Sequence, residues 1–273
     1  MVTNGRVELV KKSIACYISQ TYPHKELVII SQGDDQQNDS IQAYVNGLLR
    51  NDIRFLAAPQ SLTLGAMRNL SIEVAQGDVI CQWDDDDLYH PVRLSTQYKF
   101  LSSQPGVAGT CYSEFLKYFA DTNQMYWIDW SDEHPPEAYR FLSGTVMFYK
   151  KYFYEYGNML YPEYGSQSDK EEDLNVLQKL ILKGRILAVS PTHHYIYVYH
   201  GGNTYDLAHH RITVDTSGLK KMATKSKILR NEKLLKQMFR LVGLEQVEMC
   251  AEEGVVFVYK ENDGKSLVET KEN

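Results

Sequence analysis

Apolar and polar positions follow two distinct periods along the first hundred residues. In "RVELVKKSIACYISQ", Val7, Val10, Ile14 and Ile18 recur at helical spacing and form one apolar stripe. Pro23 in "TYPHK" ends that helix. "ELVIIS" is short, apolar and β-branched, the pattern of a buried strand. "GDDQQNDS" reads as a loop, with Asp39 or Ser40 placed to cap the helix "IQAYVNGLLR". "IRFLAA" is a strand ending before Pro59, and "LGAMRNLSIEVAQG" is a helix closed by Gly77. "DVICQW" is a buried strand that runs straight into four consecutive aspartates, residues 84–87. Strand and helix in alternation predict an α/β fold with a mainly parallel sheet.

Beyond residue 105 the periodicity weakens and aromatics accumulate. "VAGTCYSEFLKYF" and "QMYWIDW" predict paired strands, "SDEHPPEA" a loop and "SGTVMFYKKYF" another strand. "SDKEEDLNVLQKLILKG" is helical, with Leu174, Leu177, Leu180 and Ile181 on one face and Gly184 at its end. "RILAVS" and "YIYVYH" are strands. From residue 219 the chain turns basic and helical, then closes with a hairpin, "QVEMC" against "GVVFVYK". The pattern divides the chain into residues 1–105, 106–215 and a C-terminal helix and hairpin extension, 216–273.

Composition narrows the classes. The 273 residues are 43% hydrophobic and 23% charged, a globular balance. A net charge of −6 speaks against a nucleic-acid surface. No apolar run approaches the roughly 20 residues of a membrane span. "MVTNGRVELVKK" lacks an apolar signal region, so the expected compartment is cytoplasmic. The basic C-terminal segment allows peripheral contact with an anionic membrane face, but Ile228, Leu229 and Leu235 suit packing better. Cys16, Cys81, Cys111 and Cys250 form no CxxC pair and are read as reduced thiols.

The four aspartates repel one another, and a like-charge pair at about 4 Å costs on the order of 1 kcal/mol even in water. They sit at a strand's carboxyl end, where α/β sheets collect ligands. Mg²⁺ and Mn²⁺ prefer oxygen ligands and often take one or two carboxylates plus substrate phosphates. A D-x-D spacing lets Asp84 and Asp86 point the same way, with Asp87 behind them. No phosphate-cradling loop accompanies the cluster, which sets phosphoryl transfer aside.

"SQTYPHKELVII" followed by "LTLGAMRNLSIEVAQGDVICQWDDDDLYHP" resembles the family 2 glycosyltransferases of the GT-A fold, in order and spacing over about residues 1 to 100. The resemblance implies a Rossmann-like nucleotide-binding half over 1–105, an acceptor-binding half over 106–215 and a mixed central sheet. It implies nucleotide contacts at Thr3, Asn4, Arg68 and Asp84, and a divalent metal, Mn²⁺ or Mg²⁺, at Asp84 and Asp86. Asp87 would support them and Asp85 would fill the variable middle position. "KEEDLNVLQKL" is similar to the family's helix start carrying the catalytic base, which implies that role for the pair Glu172 and Asp173. "YVYHGGNTYD" resembles a later family segment and brings in His200 at the metal or diphosphate; His193, His194, His209 and His210 have weaker claims. Gly144 and Thr145 fall, by order alone, where the donor sugar and acceptor are lined.

Two positions depart from the family. Its second strand ends in aspartates, whereas this chain has Ser31 and Gln32. A glutamine amide can accept from uracil N3–H and donate to O4, which keeps UDP as the leading nucleotide. Asp34 and Asp35 read as loop aspartates rather than substitutes. The first strand is also a stub, "MVT". The expected activity is metal-dependent, inverting transfer of a sugar from a nucleotide-diphospho-sugar to a glycan or other hydroxyl acceptor, in glycan or polysaccharide biosynthesis. The alternative is a non-catalytic sugar-nucleotide-binding module on the same scaffold.

Overall fold

The computed structural model describes residues 1–103, 105–131, 137–165, 170–189, 194–212, 214 and 221–261. The first part alternates as the pattern predicts: β1 (Val2–Thr3), α1 (Val7–Ile18), β2 (Leu27–Ser31), α2 (Asp35–Gly47), β3 (Ile53–Ala57), α3 (Leu64–Val74) and β4 (Val79–Cys81). It continues with β5 (Leu88–Tyr89), α4 (Arg93–Leu101), β6 (Val107–Tyr112), β7 (Glu114–Phe119), β8 (Gln124–Asp129), β9 (Leu142–Tyr149), α5 (Lys151–Glu155) and α6 (Glu172–Ile181). The remaining elements are β10 (Arg185–Val189), β11 (Tyr195–Tyr199), α7 (Leu207–Ile212), β12 (Lys221–Met222), α8 (Lys225–Arg230), α9 (Glu232–Leu241), β13 (Gln246–Ala251) and β14 (Gly254–Lys260).

Three sheets form among the described residues. β1, β2 and β3 are parallel, with Val2 opposite Ile30 and Leu27 opposite Ile53. The second sheet is mixed, in the order β10-β6-β9-β4. The third runs β14-β13-β8-β7-β11-β5, with β12 on β8. Val10 and Ile14 of the α1 stripe are fully buried, beside Ile29 and Trp83. Leu177 and Leu180 of α6 are equally buried, and Leu174 and Ile181 pack partly against the same cluster.

Some boundaries differ from the pattern, each for a local reason. α2 starts a turn earlier because Asp34 caps it: its carboxylate accepts from the Gln37 N–H at 2.8 Å, and Gln37 returns the bond to the Asp34 N–H. α3 stops at Val74 with Ala75, not Gly77, as its C-cap. "VAGTCYSEFLKYF" splits at Ser113 into β6 and β7, which join different sheets; the pairing with "QMYWIDW" is made by β7 alone. The C-terminal hairpin adds to the middle segment's sheet, since β13 runs parallel to β8. In the basic segment Ile228 and Leu235 are buried against that sheet, while Leu229 is 43% exposed. No helix among the described residues is long and apolar enough to cross a membrane. The four cysteines are free.

One buried side chain fixes the end of β4. Arg93, at the start of α4, is fully enclosed, with its guanidinium 4.6 Å from the Tyr89 ring and 5.2 Å from those of Trp83 and Tyr195. It donates to the Gln82 carbonyl at 3.0 Å and to Gln97 Oε1 at 2.9 Å. Neither the ring cage nor the fork of donors can be met by a lysine. Arg93→Lys should therefore cost about 3 kcal/mol of unfolding free energy, the scale for breaking a buried charge arrangement, as read by urea denaturation.

His210 of α7 packs between Tyr199, at 4.8 Å, and Tyr197, at 5.3 Å. Burial, with Lys117 nearby, lowers its pKa from 6.5 to about 3. The unfolded chain thus binds a proton that the folded chain refuses between those values, and this term removes stability as pH falls from about 6.5 towards 3. The melting temperature of His210→Phe should fall less steeply over that interval than that of the unsubstituted chain.

Candidate active site

Beyond β4 the chain bends at Asp85 and Asp86, and burial alternates along the four aspartates. Asp85 and Asp87 are each 2% exposed, while Asp84 and Asp86 are partly open to a cleft of about 360 Å³. Asp87 accepts from the Tyr195 hydroxyl and, at 2.9 Å, from the Val198 N–H, which ties the acidic turn to β11. Burial, together with Asp86 and Asp84, holds its pKa well above the usual carboxylate range. Asp85 is no bystander in the variable middle position: its carboxylate is paired with the Arg6 guanidinium.

Arg6 stands at the head of α1, and its NH1 also meets Asp86 Oδ2 at 2.9 Å. His200 Nε2 lies 3.2 Å from that same oxygen. Burial alone would raise the Asp86 pKa, but His200 and Arg6 outweigh it and hold the group below its ordinary value. The Gly202 N–H points at His200 Nδ1 at 3.3 Å, which leaves Nε2 as the ring's donor to Asp86. The turn that presents His200 needs a left-handed residue at Gly201, φ +82°, and is closed by Asn203 Oδ1 on the His200 N–H at 2.9 Å.

A second arginine joins the two parts of the site. Arg68 of α3 reaches Asp84 Oδ1 through NH1 at 3.0 Å and Glu172 Oε1 through Nε at 2.9 Å. Glu172 and Asp173 open α6 directly after Glu171, whose φ of +61° is unusual for a non-glycine residue. Burial raises the Glu172 pKa to about 7 despite Arg68, and Asp173 adds to the rise. Burial and Asp84 also raise Asp173. The Leu174 N–H occupies Asp173 Oδ1 at 2.8 Å. Gly144 of β9 lies between the two acids: a Cβ there would stand 3.4 Å from Asp173 Oδ2 and 3.4 Å from Asp84 Oδ2.

The residues expected at the nucleotide end line the same cleft. Thr3, Asn4 and Gln32 border it beside Arg68 and Asp84. Gly5 allows this corner, because a Cβ on it would fall 2.6 Å from the Gly33 Cα. Both amide hydrogens of Gln32 are engaged, on the Leu62 carbonyl at 2.7 Å and the Pro59 carbonyl at 2.8 Å. The donor expected to reach a base O4 is thus committed to the protein. Asp34 is a helix cap. Thr145 is fully buried, and its hydroxyl donates to the Leu142 carbonyl and accepts from the Tyr112 N–H; it does not line the cleft. His194 is buried against His90, His209 stacks on Tyr205, and His193 lies outside the described residues.

The donor set suits a hard divalent cation. Asp84 commits Oδ1 to Arg68 and has Gln82 Nε2 at 3.4 Å from Oδ2, while the contacts of Asp86 run through Oδ2 and leave Oδ1. Among the described residues no three or more His, Cys, Asp or Glu side chains are grouped so that they could hold a metal ion. Such a pair fits a cation that completes its shell from phosphate and water. Sequence reasoning missed Arg6, Tyr197 and the 203–205 turn, all of which border the cleft. The signal for Arg6 was its place two residues after the Thr3-Asn4 corner.

The family model for glycosyl transferase family 2 matches residues 1–163. An uncharacterized glycosyltransferase of Methanocaldococcus jannaschii, MJ1057, is 27% identical over 65% of this chain and 57% of its own. The glucosyl-dolichyl phosphate glucuronosyltransferase of Haloferax volcanii is 23% identical over 56% of this chain and 51% of its own. The chain thus spans about half the length of these curated relatives. A Pyrobaculum calidifontis mannosyltransferase solved with GDP-Man and Mn²⁺ superposes with a TM-score of 0.52 at 13% identity, over 88% of this chain and 61% of that one. Staphylococcus aureus TarS 1-349 with UDP gives 0.51 at 14% identity, over 89% and 78%. These likenesses establish the GT-A fold.

Replacing Arg68 by Gln leaves Asp84, Glu172 and Asp173 crowded without their shared cation. The unfolding free energy should fall by about 3 kcal/mol at pH 8. The loss should shrink at pH 5.5, where Glu172, with its pKa near 7, is protonated. Urea titrations at the two pH values measure both.

Proposed function

The chain belongs to glycosyl transferase family 2, and from that premise we propose that it is a metal-dependent, inverting glycosyltransferase. It would carry a sugar from a nucleotide-diphospho-sugar, UDP-linked, to a hydroxyl of a glycan or other acceptor. The observation that carries this reading is the approach of Asp84 and Asp173 on either side of Gly144. A donor held at the first carboxylate presents its anomeric carbon to an acceptor held at the second.

Asp173 takes the part of general base. The Leu174 N–H holds its Oδ1, Oδ2 lies towards Gly144, and Ser143 hydrogen-bonds the carboxylate. Its raised pKa makes it a stronger proton acceptor than an exposed aspartate, which suits removal of the acceptor hydroxyl proton as the new bond forms. Glu172 is held by Arg68 and positions the helix start rather than taking the proton. Asp84 and Asp86 would hold Mn²⁺ or Mg²⁺, which when bound supplies Lewis-acid neutralisation of the departing diphosphate. For His200 to ligate through Nε2, its ring proton must move to Nδ1 and the Gly202 N–H must turn away.

At the base end, Gln32 Oε1 is left to accept from an N–H of the base, and Thr3 and Asn4 form the adjoining corner. Uracil N3–H supplies such a donor. The fold neighbours hold GDP-Man with Mn²⁺ in one case and UDP in the other, which supports a nucleotide-sugar donor and leaves two bases to compare.

Nucleotide release from UDP-sugars and GDP-mannose, measured with Mn²⁺ and a panel of hydroxyl acceptors, tests the assignment. UDP-sugars should be turned over, and Asp173→Asn should lower kcat by about 10²- to 10⁴-fold while donor affinity persists. Asp86→Asn should abolish the Mn²⁺-dependent part of nucleotide binding in calorimetry. Full activity in Asp173→Asn would overturn the base assignment. Donor binding without turnover on any acceptor would instead favour a binding module.

A further inference from the structure

Arg6 holds the acidic turn with a divided grip. Its Nε and NH2 face the two oxygens of Asp85, while its NH1 alone reaches Asp86. Asp85 is buried, so that half of the grip is firmly anchored; Asp86 stands at the cleft. The NH1 also lies 3.4 Å from His200 Nε2, the other group on Asp86 Oδ2. We propose that Arg6 is a built-in counter-cation that competes with the divalent metal for Asp86, and that its NH1 transfers to the donor's diphosphate when metal and donor bind together.

This rests on the metal-dependent reading above and adds an order to it. A tilt of the planar guanidinium about its Asp85-facing edge would swing NH1 off Asp86 while Nε and NH2 keep Asp85. Without a nucleotide, the displaced NH1 has no anion to meet, and metal binding is opposed by a neighbouring positive charge. With the diphosphate present, the same group gains a phosphate partner. Metal and nucleotide therefore bind with positive coupling, and Arg6 is the residue that supplies it.

The test is Mn²⁺ binding followed by electron paramagnetic resonance, with and without UDP or GDP, which needs no sugar transfer. In the unsubstituted chain, nucleotide should tighten Mn²⁺ binding by about tenfold or more. In Arg6→Gln, Mn²⁺ alone should bind about tenfold more tightly than in the unsubstituted chain, and the nucleotide effect should shrink. Arg6→Lys, which keeps a charge but cannot hold both aspartates, should fall between them, and circular dichroism checks that both variants fold. Unchanged or weaker Mn²⁺ affinity in folded Arg6→Gln, beside clear Mn²⁺ binding in the unsubstituted chain, would overturn the proposal alone. Absence of Mn²⁺ binding in every form with nucleotide would remove the metal-dependent reading, and this proposal with it.

Discussion

Charge balance within a single cleft governs this molecule. Residues 84–87, Glu172 and Asp173 bring carboxylates together at the end of β4 and the start of α6, and Arg6 and Arg68 are the cations that answer them. Neither arginine serves one partner. Arg68 spans Asp84 and Glu172, and so joins the strand-end acids to the start of α6, 104 residues beyond Arg68 itself. Several of the carboxyl groups remain raised above their ordinary pKa in spite of this, because burial outweighs the available positive charge. The cleft is left short of cations, a deficit that a bound divalent cation would meet.

The scaffold under the cleft is built to resist that repulsion. Arg93 clamps the end of β4 from below through Gln82 and an aromatic cage, while Asp87 is tied to β11 by a hydroxyl and a backbone amide. Asn69 of α3 holds the 161–163 segment, donating to the Tyr161 carbonyl at 2.9 Å and accepting from its N–H at 2.9 Å. The acids can stay close because the backbone beneath them has little freedom to move apart.

The first half of the fold was legible because its elements are amphipathic or short and bounded by turn residues. α1 shows its stripe, and β2 to β4 sit between polar breaks. The start of α2 was misread because "GDDQQNDS" is polar throughout, although the spacing of Asp34 and Gln37 carries the capping signal. Later strands lose their period where both faces are buried, as in β6, so neither sheet membership nor the break at Ser113 could be read. Of the site, the strand-end acids and the 172–173 pair were visible as motifs. Arg6 was not, because its partner lies 79 residues away and only its nearness to the Thr3-Asn4 corner hinted at the site. Thr145 failed for the opposite reason: its place in the order suggested the pocket, but the sheet consumes its hydroxyl.

The separations within the site have a consequence for how the molecule comes into being. Arg6 meets Asp85 across 79 residues, Arg68 meets Glu172 across 104, and His200 meets Asp86 across 114. Contacts of such long range close large loops, and the entropy of that closure has to be met before they add stability. A chain with only its first half folded would keep Arg6 and Arg68 on the acidic turn but lack Glu172, Asp173 and His200, and so hold only part of the cleft. Native ligand affinity therefore reports on completed folding of the whole, and a preparation with correct helix content can still lack the site.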